Sequence, residues 1–439
     1  MKQKYRLDKV GYLKRDKKIS FKFNGKKYLG YEGDTLASAL LANGVHLVGR
    51  SFKYHRPRGF IGAGVDEPNA KVQLYSGAKT EPNAVATEVE LVEGLVAKSQ
   101  NCFPSVSFDF GAINNFLSRF FPAGFYYKTF MWPKNFWYKI YEPIIRKAAG
   151  LGVAPLKPDP DRYEHKFEYC DVLVVGSGPS GLASALSAAT NGARVILAED
   201  KPRFGGSLLT DEVTIGNKKG KDWASETIEH LKSLPNVILK NRSQVFGYYD
   251  HNMMVMFERV KDHIESPSKY TPRQRLWYIR AKEVIASTGS IERPLVFGNN
   301  DRPGIMLASA AKEYLKVYGV LVGRKPIIFT NNDTAYDVAI DFKKNGINPI
   351  VIDVRENSES SVVREAKSLN IDIKFSHAIA NTKGYLRVES ATVGKLNQKK
   401  SDYEKLEDIK CDCICVSGNW TPTVHLSSQS GNKLKFDEA

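Results

Sequence analysis

The sequence predicts an α/β fold, in which a small β-grasp domain is followed by a Rossmann-type domain with two lobes. Two observations support this fold: an alternating hairpin followed by an apolar helix near the N-terminus, and a buried strand, glycine-rich loop and helix near the middle. The 439 residues are 42% hydrophobic, which is enough for two or three domains with cores of their own.

The N-terminal domain begins with two strands joined by a tight turn. Residues 19–23 and 26–31 alternate between apolar and polar side chains, and the Asn24-Gly25 pair between them is typical of a type I′ hairpin turn. Asp34 is then expected as the N-cap of a helix over residues 35–42, with Gly44 at the C-terminal end of that helix.

Further strands of this domain are expected at residues 71–75 and 87–91. A hairpin, a helix and returning strands together indicate a β-grasp domain, to which we assign residues 1–97.

Residues 98–165 are expected to form a linker or interface segment with many aromatic side chains. Prolines and lysines interrupt the aromatic run, so it is not a membrane span. So many rings need a surface to pack on, either within the chain or on another subunit, and the sequence favours neither. The twelve aromatic residues are Phe116, Phe120, Phe121, Phe125, Tyr126, Tyr127, Phe130, Trp132, Phe136, Trp137, Tyr138 and Tyr141.

The third segment, residues 166–439, contains the clearest functional motif. An apolar strand at residues 171–175 leads into Gly176-Ser177-Gly178-Pro179-Ser180-Gly181, a helix follows to residue 191, and a second strand ends at Glu199. This context makes the motif a dinucleotide-binding fingerprint. The pyrophosphate is expected at the helix N-terminus, and Glu199 is expected to accept hydrogen bonds from the adenosine ribose, which favours NAD or FAD over NADP.

A second, weaker β-α-β unit is expected further along the chain. Its strand at Pro326–Thr330 precedes a helix at residues 334–344 and a strand at residues 349–353. Asn331-Asn332-Asp333 stands where a glycine loop would be, so we expect a retained scaffold that binds no second dinucleotide.

The five cysteines do not indicate a disulfide framework, because their number is odd in a long chain. Three of them, at positions 411, 413 and 415, alternate with other residues and predict a buried strand whose cysteines share one face. A metal site is the weaker interpretation, because no His or Cys pair at zinc spacing accompanies them.

Charge and targeting signals limit the classes of partner and location. The net charge of +16 attracts anionic partners, but the lysines are scattered along the chain, so nucleic acid is not expected. No apolar run is long enough to span a membrane, and the basic N-terminus lacks the apolar core of a secretion signal, which predicts a cytoplasmic protein. No catalytic acid, base or nucleophile and no metal ligand set is identified.

Four stretches, at residues 33–44, 50–59, 176–181 and 417–426, together resemble the alpha subunits of heterotetrameric sarcosine oxidases. The run Ser-Phe-Lys-Tyr-His-Arg-Pro-Arg-Gly at residues 51–59 is the most specific of them. The resemblance covers nearly the whole chain. It implies a ferredoxin-like β-grasp domain without an iron–sulfur cluster, followed by a Rossmann-type two-lobed FAD/NAD(P)-binding domain.

The resemblance also implies a function. The family's enzyme oxidatively demethylates sarcosine to glycine, passes the one-carbon unit to tetrahydrofolate and releases hydrogen peroxide. The alpha subunit holds a non-reacting NAD, a beta subunit holds the FAD that oxidises the amine, FMN lies between alpha and beta, and gamma and delta subunits complete the complex. The cofactor-binding residues expected on this chain are Gly176, Ser177, Gly178, Pro179, Ser180, Gly181, Glu199, Asp200, Gly206, Ser207, Val245, Thr288, Gly289, Gly418, Trp420 and Thr423.

Comparison with the family gives further expectations, one of which rests on a departure from the family pattern. Relatives with a [2Fe–2S] cluster have cysteines in the loop that here spans residues 60–70, and this loop has none, so we expect no iron. The family's folate-binding half would follow Ala439, so the sequence is expected to be a fragment, or else that half belongs to another chain. Arg50, Lys53, His55, Arg56 and Arg58 are expected to meet a flavin phosphate or a partner, or to form a solvated loop.

Two alternative functions stay open from the sequence. One is a self-sufficient FAD-dependent amine or opine oxidoreductase that binds FAD at residues 176–181. The other is a non-catalytic dinucleotide-binding scaffold that recruits partners through its aromatic segment.

Overall fold

The structure, a computed structural model, describes residues 3–120, 124, 129–150, 152–397, 399, 402–431 and 433–436. The chain forms two compact units. The first comprises Met1–Asp159 and Glu292–Asn419, and the second comprises Pro160–Ile291 and Trp420–Ala439. The domain boundaries at residues 97 and 165 stay predictions.

The N-terminal part of the first unit is a five-stranded sheet in the order β2-β1-β7-β5-β6, with one helix packed on it. The type I′ hairpin is confirmed, since Asn24 and Gly25 at its turn have φ values of 50° and 78°. Every residue of the helix is buried. The elements are β1 (Lys14–Phe23), β2 (Lys26–Glu32), α1 (Leu36–Ala42), β3 (Gly49–Arg50), β4 (Pro57–Arg58), β5 (Lys71–Leu74), β6 (Glu81–Val85) and β7 (Val96–Ser99).

The N-cap of α1 is Thr35, so the assignment of this role to Asp34 is wrong. Thr35 Oγ1 accepts from the backbone N–H of Ser38 at 3.1 Å, and Ser38 Oγ accepts from the N–H of Thr35 at 3.0 Å, which is a capping box. Asp34 instead forms a buried ion pair with Arg6 at 2.6 Å. Gly44 follows the helix with φ 81°, as expected.

The expected strand at residues 71–75 is confirmed as β5, but the one at residues 87–91 is wrong. That stretch forms a turn that contributes one isolated bridge, between Glu90 and Thr35. The hydrogen bonds of the sheet are made by β6 and β7 on either side of the turn.

Short helical turns dominate the aromatic segment. Phe121, Pro122, Phe125, Tyr126, Tyr127 and Lys128 lie outside the described residues. The described elements are two 3₁₀ turns (Phe110–Ala112 and Ser118–Phe120), α2 (Ile113–Phe116), a π-helical turn (Trp137–Tyr141) and α3 (Glu142–Ala149). A further 3₁₀ turn, Gly77–Lys79, lies within the preceding sheet region.

The second unit is built on a six-stranded sheet in the order β12-β9-β8-β15-β14-β13. The first four strands are parallel, and the last two are added antiparallel. Its elements are β8 (Tyr163–Val175), α4 (Pro179–Thr190), β9 (Val195–Ala198), β10 (Thr214–Ile215), β11 (Lys218–Lys219), α5 (Gly220–Ser233), β12 (Val237–Lys240), β13 (Ser243–Tyr249), β14 (Met253–Arg259), β15 (Gln274–Ala286) and β16 (Ser290–Glu292). Two 3₁₀ turns, Gly206–Leu209 and Asp250–Asn252, and a C-terminal helix described below complete this unit.

The rest of the first unit has a parallel sheet in the order β17-β24-β18-β19-β20 and an antiparallel sheet in the order β21-β22-β23. The second β-α-β unit is confirmed, although its helix begins at Tyr336 rather than at residue 334. The elements are β17 (Ile305–Leu307), α6 (Ala308–Lys316), β18 (Pro326–Thr330), α7 (Tyr336–Lys344), β19 (Ile350–Asp353), α8 (Ser361–Ser368), β20 (Asp372–Phe375), β21 (His377–Lys383), β22 (Ser390–Leu396), β23 (Tyr403–Lys410) and β24 (Cys413–Ser417). The chain then returns to the second unit with β25 (Trp420–Pro422) and α9 (His425–Gln429).

The cysteine strand is confirmed as β24, but only two of its cysteines share a face. Cys413 and Cys415 are fully buried within the strand. Cys411 precedes the strand and packs in the core cluster that also holds Ile414 and Val416, which are the residues of the opposite face. Among the described residues, no helix combines the length and the apolar character that crossing a membrane requires.

Candidate dinucleotide-binding site

The glycine loop of the second unit connects the buried end of β8 to α4. Gly176 has φ 96°, and an added Cβ there would collide with the carbonyl of Ser287. A Cβ on Gly181 would collide with the carbonyl of Gly176. Both positions therefore need glycine, one for a left-handed turn and the other for close packing of the helix against the loop.

The opposite side of the loop is open. An added Cβ on Gly178 would meet no atom within 4 Å. Gly178 is the N-cap of α4, and the next two residues, Pro179 and Ser180, are exposed. The unpaired N–H groups of the first turn of α4 therefore border free space, which is the arrangement that binds a pyrophosphate.

Glu199 lies at the carboxyl end of the neighbouring strand, directly after β9, and is 6% exposed. Its Oε2 accepts from the N–H of Ser177 at 3.0 Å and from Ser177 Oγ at 2.5 Å, and its Oε1 accepts from the N–H of Lys201 at 3.0 Å. Burial, and then the adjacent Asp200 carboxyl, raise the pKa of Glu199 to about 8. The role of Glu199 and Asp200 on a ribose stays a prediction.

The loop that follows β9 lies against the glycine loop. The N–H of Gly205 donates to Ser177 Oγ at 3.0 Å, and an added Cβ on Gly206 would be 2.7 Å from the Cα of Gly178. Ser207 is exposed next to them. The residues chosen from the sequence at 176–181 and 206–207 are therefore neighbours.

A third segment meets the same end of the sheet. The N–H of Ser287 donates to the carbonyl of Val175 at 2.8 Å, which places Thr288 and Gly289 beside the glycine loop. Thr288 Oγ1 donates to the carbonyl of Thr423 at 2.6 Å, and the N–H of Thr423 donates to Gly289 at 2.9 Å. Ser287 itself was missed, although it directly precedes Thr288 and Gly289, which were expected at the site.

The remaining residues chosen from the sequence are more dispersed. Val245 lies on β13 and packs against the core of the second unit, and Trp420 begins β25. Gly418 belongs to the first unit, where its N–H donates to the carbonyl of Arg293 at 2.6 Å. Arg259 was missed: its guanidinium donates to the carbonyl of Asp200 at 2.8 Å, and no local motif marks it.

The second β-α-β unit also has an acidic residue at the end of its second strand, as Glu199 is in the first unit of this kind. Side chains of the same unit form hydrogen bonds with this acidic residue. Asp353 at the end of β19 is fully buried and is held by Arg355 and by the hydroxyl of Tyr336, each at 2.7 Å. Arg355 also donates to Asp333 at 2.7 Å. The carboxylate of Asp353 is therefore already paired with side chains of this chain. Binding of a single dinucleotide stays a prediction.

Several basic side chains of the loop at residues 50–59 are paired with other residues of this chain, and contact of the loop with a flavin phosphate or a partner stays a prediction. Arg50 is buried and donates to the carbonyls of Val106 at 2.8 Å and His55 at 3.0 Å. His55 Nδ1 lies 2.7 Å from Asp109 Oδ2, with both side chains buried. Arg56 binds Asp301 through two nitrogens, and Arg58 binds the same carboxylate. Most of the positive charge of this loop therefore holds the first unit together.

Two family models match the chain. Residues 16–102 match a 2Fe-2S iron–sulfur cluster binding domain, and residues 171–232 match an FAD dependent oxidoreductase. The first match agrees with the β-grasp sheet, but its residues do not fit a cluster. Such a cluster needs four thiolate or imidazole ligands, and Cys102 is the only cysteine between residues 16 and 102.

The most informative relatives are alpha subunits of sarcosine oxidase. The chain is 47% identical over 98% of its length to the subunit from Rhizobium meliloti (strain 1021), and 33% identical over 97% to that from Corynebacterium sp. (strain U-96). It spans 42% and 40% of those two proteins.

A solved structure agrees with the fold. L-proline dehydrogenase from P. horikoshii superposes with a TM-score of 0.62 and covers 99% of this chain and 66% of its own, at 19% identity. The predicted fold class is thereby confirmed. Over 98% and 97% of its own length, respectively, the chain is therefore similar to part of the sarcosine oxidase alpha subunits.

Proposed function

We propose that this chain is the NAD-binding part of an alpha-type subunit in a sarcosine oxidase complex. The complex would convert sarcosine, oxygen and tetrahydrofolate into glycine, hydrogen peroxide and methylene-tetrahydrofolate. The observation that carries the proposal is the 47% identity across 98% of the chain, which includes the open glycine loop.

The residues of this chain would bind and orient the cofactor rather than react. The first turn of α4 would hold the pyrophosphate beside Gly178, and Glu199 would accept hydrogen bonds from the ribose. A bound NAD offers hydride chemistry in general. Glu199, the buried carboxyl beside the glycine loop, is held by the N–H groups of Ser177 and Lys201, which supports a role in binding rather than in proton transfer.

Amine oxidation would belong to a separate beta subunit that carries FAD, with FMN between the two subunits and with gamma and delta subunits completing the assembly. The described aromatic residues support a subunit interface. Phe116, Phe120, Trp132 and Tyr138 are 86%, 75%, 82% and 82% exposed, so most of each ring is left uncovered by the part of the chain that the structure describes. Aromatic side chains so exposed are typical of surfaces that a partner covers. The cytoplasmic location stays a prediction from the sequence.

A second candidate is supported by the family model at residues 171–232, which describes FAD dependent oxidoreductases. The same glycine loop and Glu199 would then hold the adenosine half of FAD, and the chain would be a flavoenzyme without a partner.

The two candidates differ in whether the chain needs a second subunit. The test is sarcosine-dependent oxygen uptake, measured for the purified chain alone and for the chain co-expressed with the FAD-carrying subunit. We expect uptake and peroxide release from the assembled complex and none from the isolated chain. Sustained turnover by the isolated chain would instead establish the second candidate.

A further inference from the structure

The loop that has no cysteine is closed around one carboxylate. Glu67 Oε2 accepts from the N–H groups of Ile61 at 2.6 Å and Gly62 at 2.7 Å. Glu67 Oε1 accepts from those of Asn69 at 2.7 Å and Ala70 at 3.0 Å. Four backbone donors from both ends of the loop therefore converge on one side chain, which is 3% exposed.

Converging backbone N–H groups of this kind form a concave site that favours an anion. A cluster bound by cysteine thiolates is also an anion, and N–H groups commonly donate to its sulfurs. In this chain the anion is a carboxylate of the loop itself. The donors that would otherwise be buried without partners are thereby satisfied.

The outer face of the same loop contacts the other part of the first unit. The N–H of Leu307 donates to the carbonyl of Ile61 at 2.9 Å, and the hydroxyl of Tyr314 donates to the carbonyl of Gly62 at 2.9 Å. Tyr314 is fully buried on α6. The N–H groups of the loop thus point inward to Glu67, and two of its carbonyl groups point outward to the part of the first unit that contains α6.

We propose that Glu67 replaces an iron–sulfur cluster as the anion around which this loop folds, and that the loop thereby became a docking element between the β-grasp sheet and α6. Glu67 is a positioning residue, and the β-grasp domain carries no electrons. This inference does not depend on sarcosine as the substrate.

The first test separates an anion requirement from simple packing. Glu67→Ala leaves a space of the size of a small carboxylate, with four inward N–H groups. We expect a lower melting temperature for this variant, by about 5–10 °C, and selective recovery on addition of sodium formate but not of sodium chloride. Wild-type protein should show no formate-specific gain. Equal effects of the two salts on Glu67→Ala would overturn the proposal.

A second variant covers the case in which Glu67→Ala does not fold. Glu67→Gln keeps the size of the side chain but turns an N–H₂ group towards two of the four donors. We expect a clear drop in melting temperature, whereas Asp66→Asn, at the exposed neighbouring carboxylate, should shift it by less than about 2 °C. A Glu67→Gln variant as stable as wild type would contradict the role of the charge.

A third measurement addresses the cluster directly. Purified wild-type chain is incubated without oxygen with ferrous iron and sulfide, and then desalted. We expect neither retained iron nor the visible absorption and electron paramagnetic resonance of a reduced [2Fe–2S] centre. Retention of a stoichiometric cluster would overturn the proposal, independently of any assay of sarcosine oxidation.

Discussion

Glu199 is buried and accepts three hydrogen bonds. Burial raises the pKa of its carboxyl and the hydrogen bonds lower it, so the two effects together set the pH at which the carboxyl ionises. Its pKa is raised to about 8, first by burial and then by Asp200. The folded chain therefore keeps a proton between about pH 4.5 and about pH 8 that the unfolded chain has lost, and it loses stability as the pH rises through this window. Ribose hydroxyls donate to a carboxylate, so they favour the ionised form.

The affinity for NAD should consequently increase with pH and level off above the pKa of Glu199. We expect the dissociation constant to fall by up to about tenfold per pH unit below about pH 8. Titration calorimetry in buffers of different ionisation enthalpy would detect the proton released on binding. Glu199→Gln should bind more weakly and without this pH dependence, and an equal pH dependence in that variant would assign the effect to another group.

Two glycines of the loop should separate cofactor binding from folding. In Gly178→Ala the methyl group enters open space, so stability should change by less than about 0.5 kcal/mol while NAD affinity falls at least about tenfold. In Gly181→Ala the methyl group collides with the carbonyl of Gly176, and a loss of about 1–3 kcal/mol in the free energy of unfolding is expected. Urea unfolding and a nucleotide titration on both variants would check this; identical behaviour of the pair would contradict the geometry.

At the scale of elements, the basic loop at residues 50–59 connects separate segments of the first unit. Arg50 donates to three carbonyls, those of His55, Val106 and Ser107. We expect Arg50→Ala to lower the free energy of unfolding by about 2–4 kcal/mol. Hydrogen bonds from a charged group are strong, and the substitution would leave the buried carbonyl groups without a donor. Lys53→Ala on the same loop is the matched control. If urea unfolding showed similarly small losses in the free energy of unfolding for both variants, the hydrogen bonds of Arg50 would not stabilise the first unit.

The elements with a local signal could be predicted from the sequence. Asn24-Gly25 fixes its hairpin through backbone conformation, and the glycines at 176–181 fix the turn between β8 and α4 through contacts within the motif. Two errors concern long-range partners. Asp34 pairs with Arg6, which is distant in sequence, instead of capping the helix. Residues 87–91 alternate between polar and apolar side chains like a strand, but they form a turn between two strands.

Most residues of the candidate site could likewise be chosen from local signals in the sequence, whereas residues that reach it through long-range contacts could not. Residues 176–181, 199, 206–207 and 288–289 are adjacent because each follows a strand of one parallel sheet, and such strand ends meet at one edge. Glu67 gave no signal, because its role depends on backbone N–H groups that converge only after the loop has folded.

At the scale of the whole molecule, the exposed aromatic segment should decide whether the chain assembles. Substitution of both Phe116 and Phe120 by serine removes two exposed rings, so it should leave the melting temperature nearly unchanged but abolish co-purification with the FAD-carrying subunit. Phe52, which is 57% exposed outside this segment, provides the control variant Phe52→Ser. Retained co-purification of the double variant would place the interface elsewhere.

The identity of the bound cofactor tests the central claim most directly. The chain is purified alone, its near-ultraviolet and visible absorbance is recorded, and the ligand released by acid is identified by mass spectrometry. A colourless protein that releases NAD in stoichiometric amount is the predicted result, and it would establish a dinucleotide-holding subunit whose redox chemistry belongs to a partner. A yellow protein that releases stoichiometric FAD would contradict this account and make the chain a flavoenzyme in its own right.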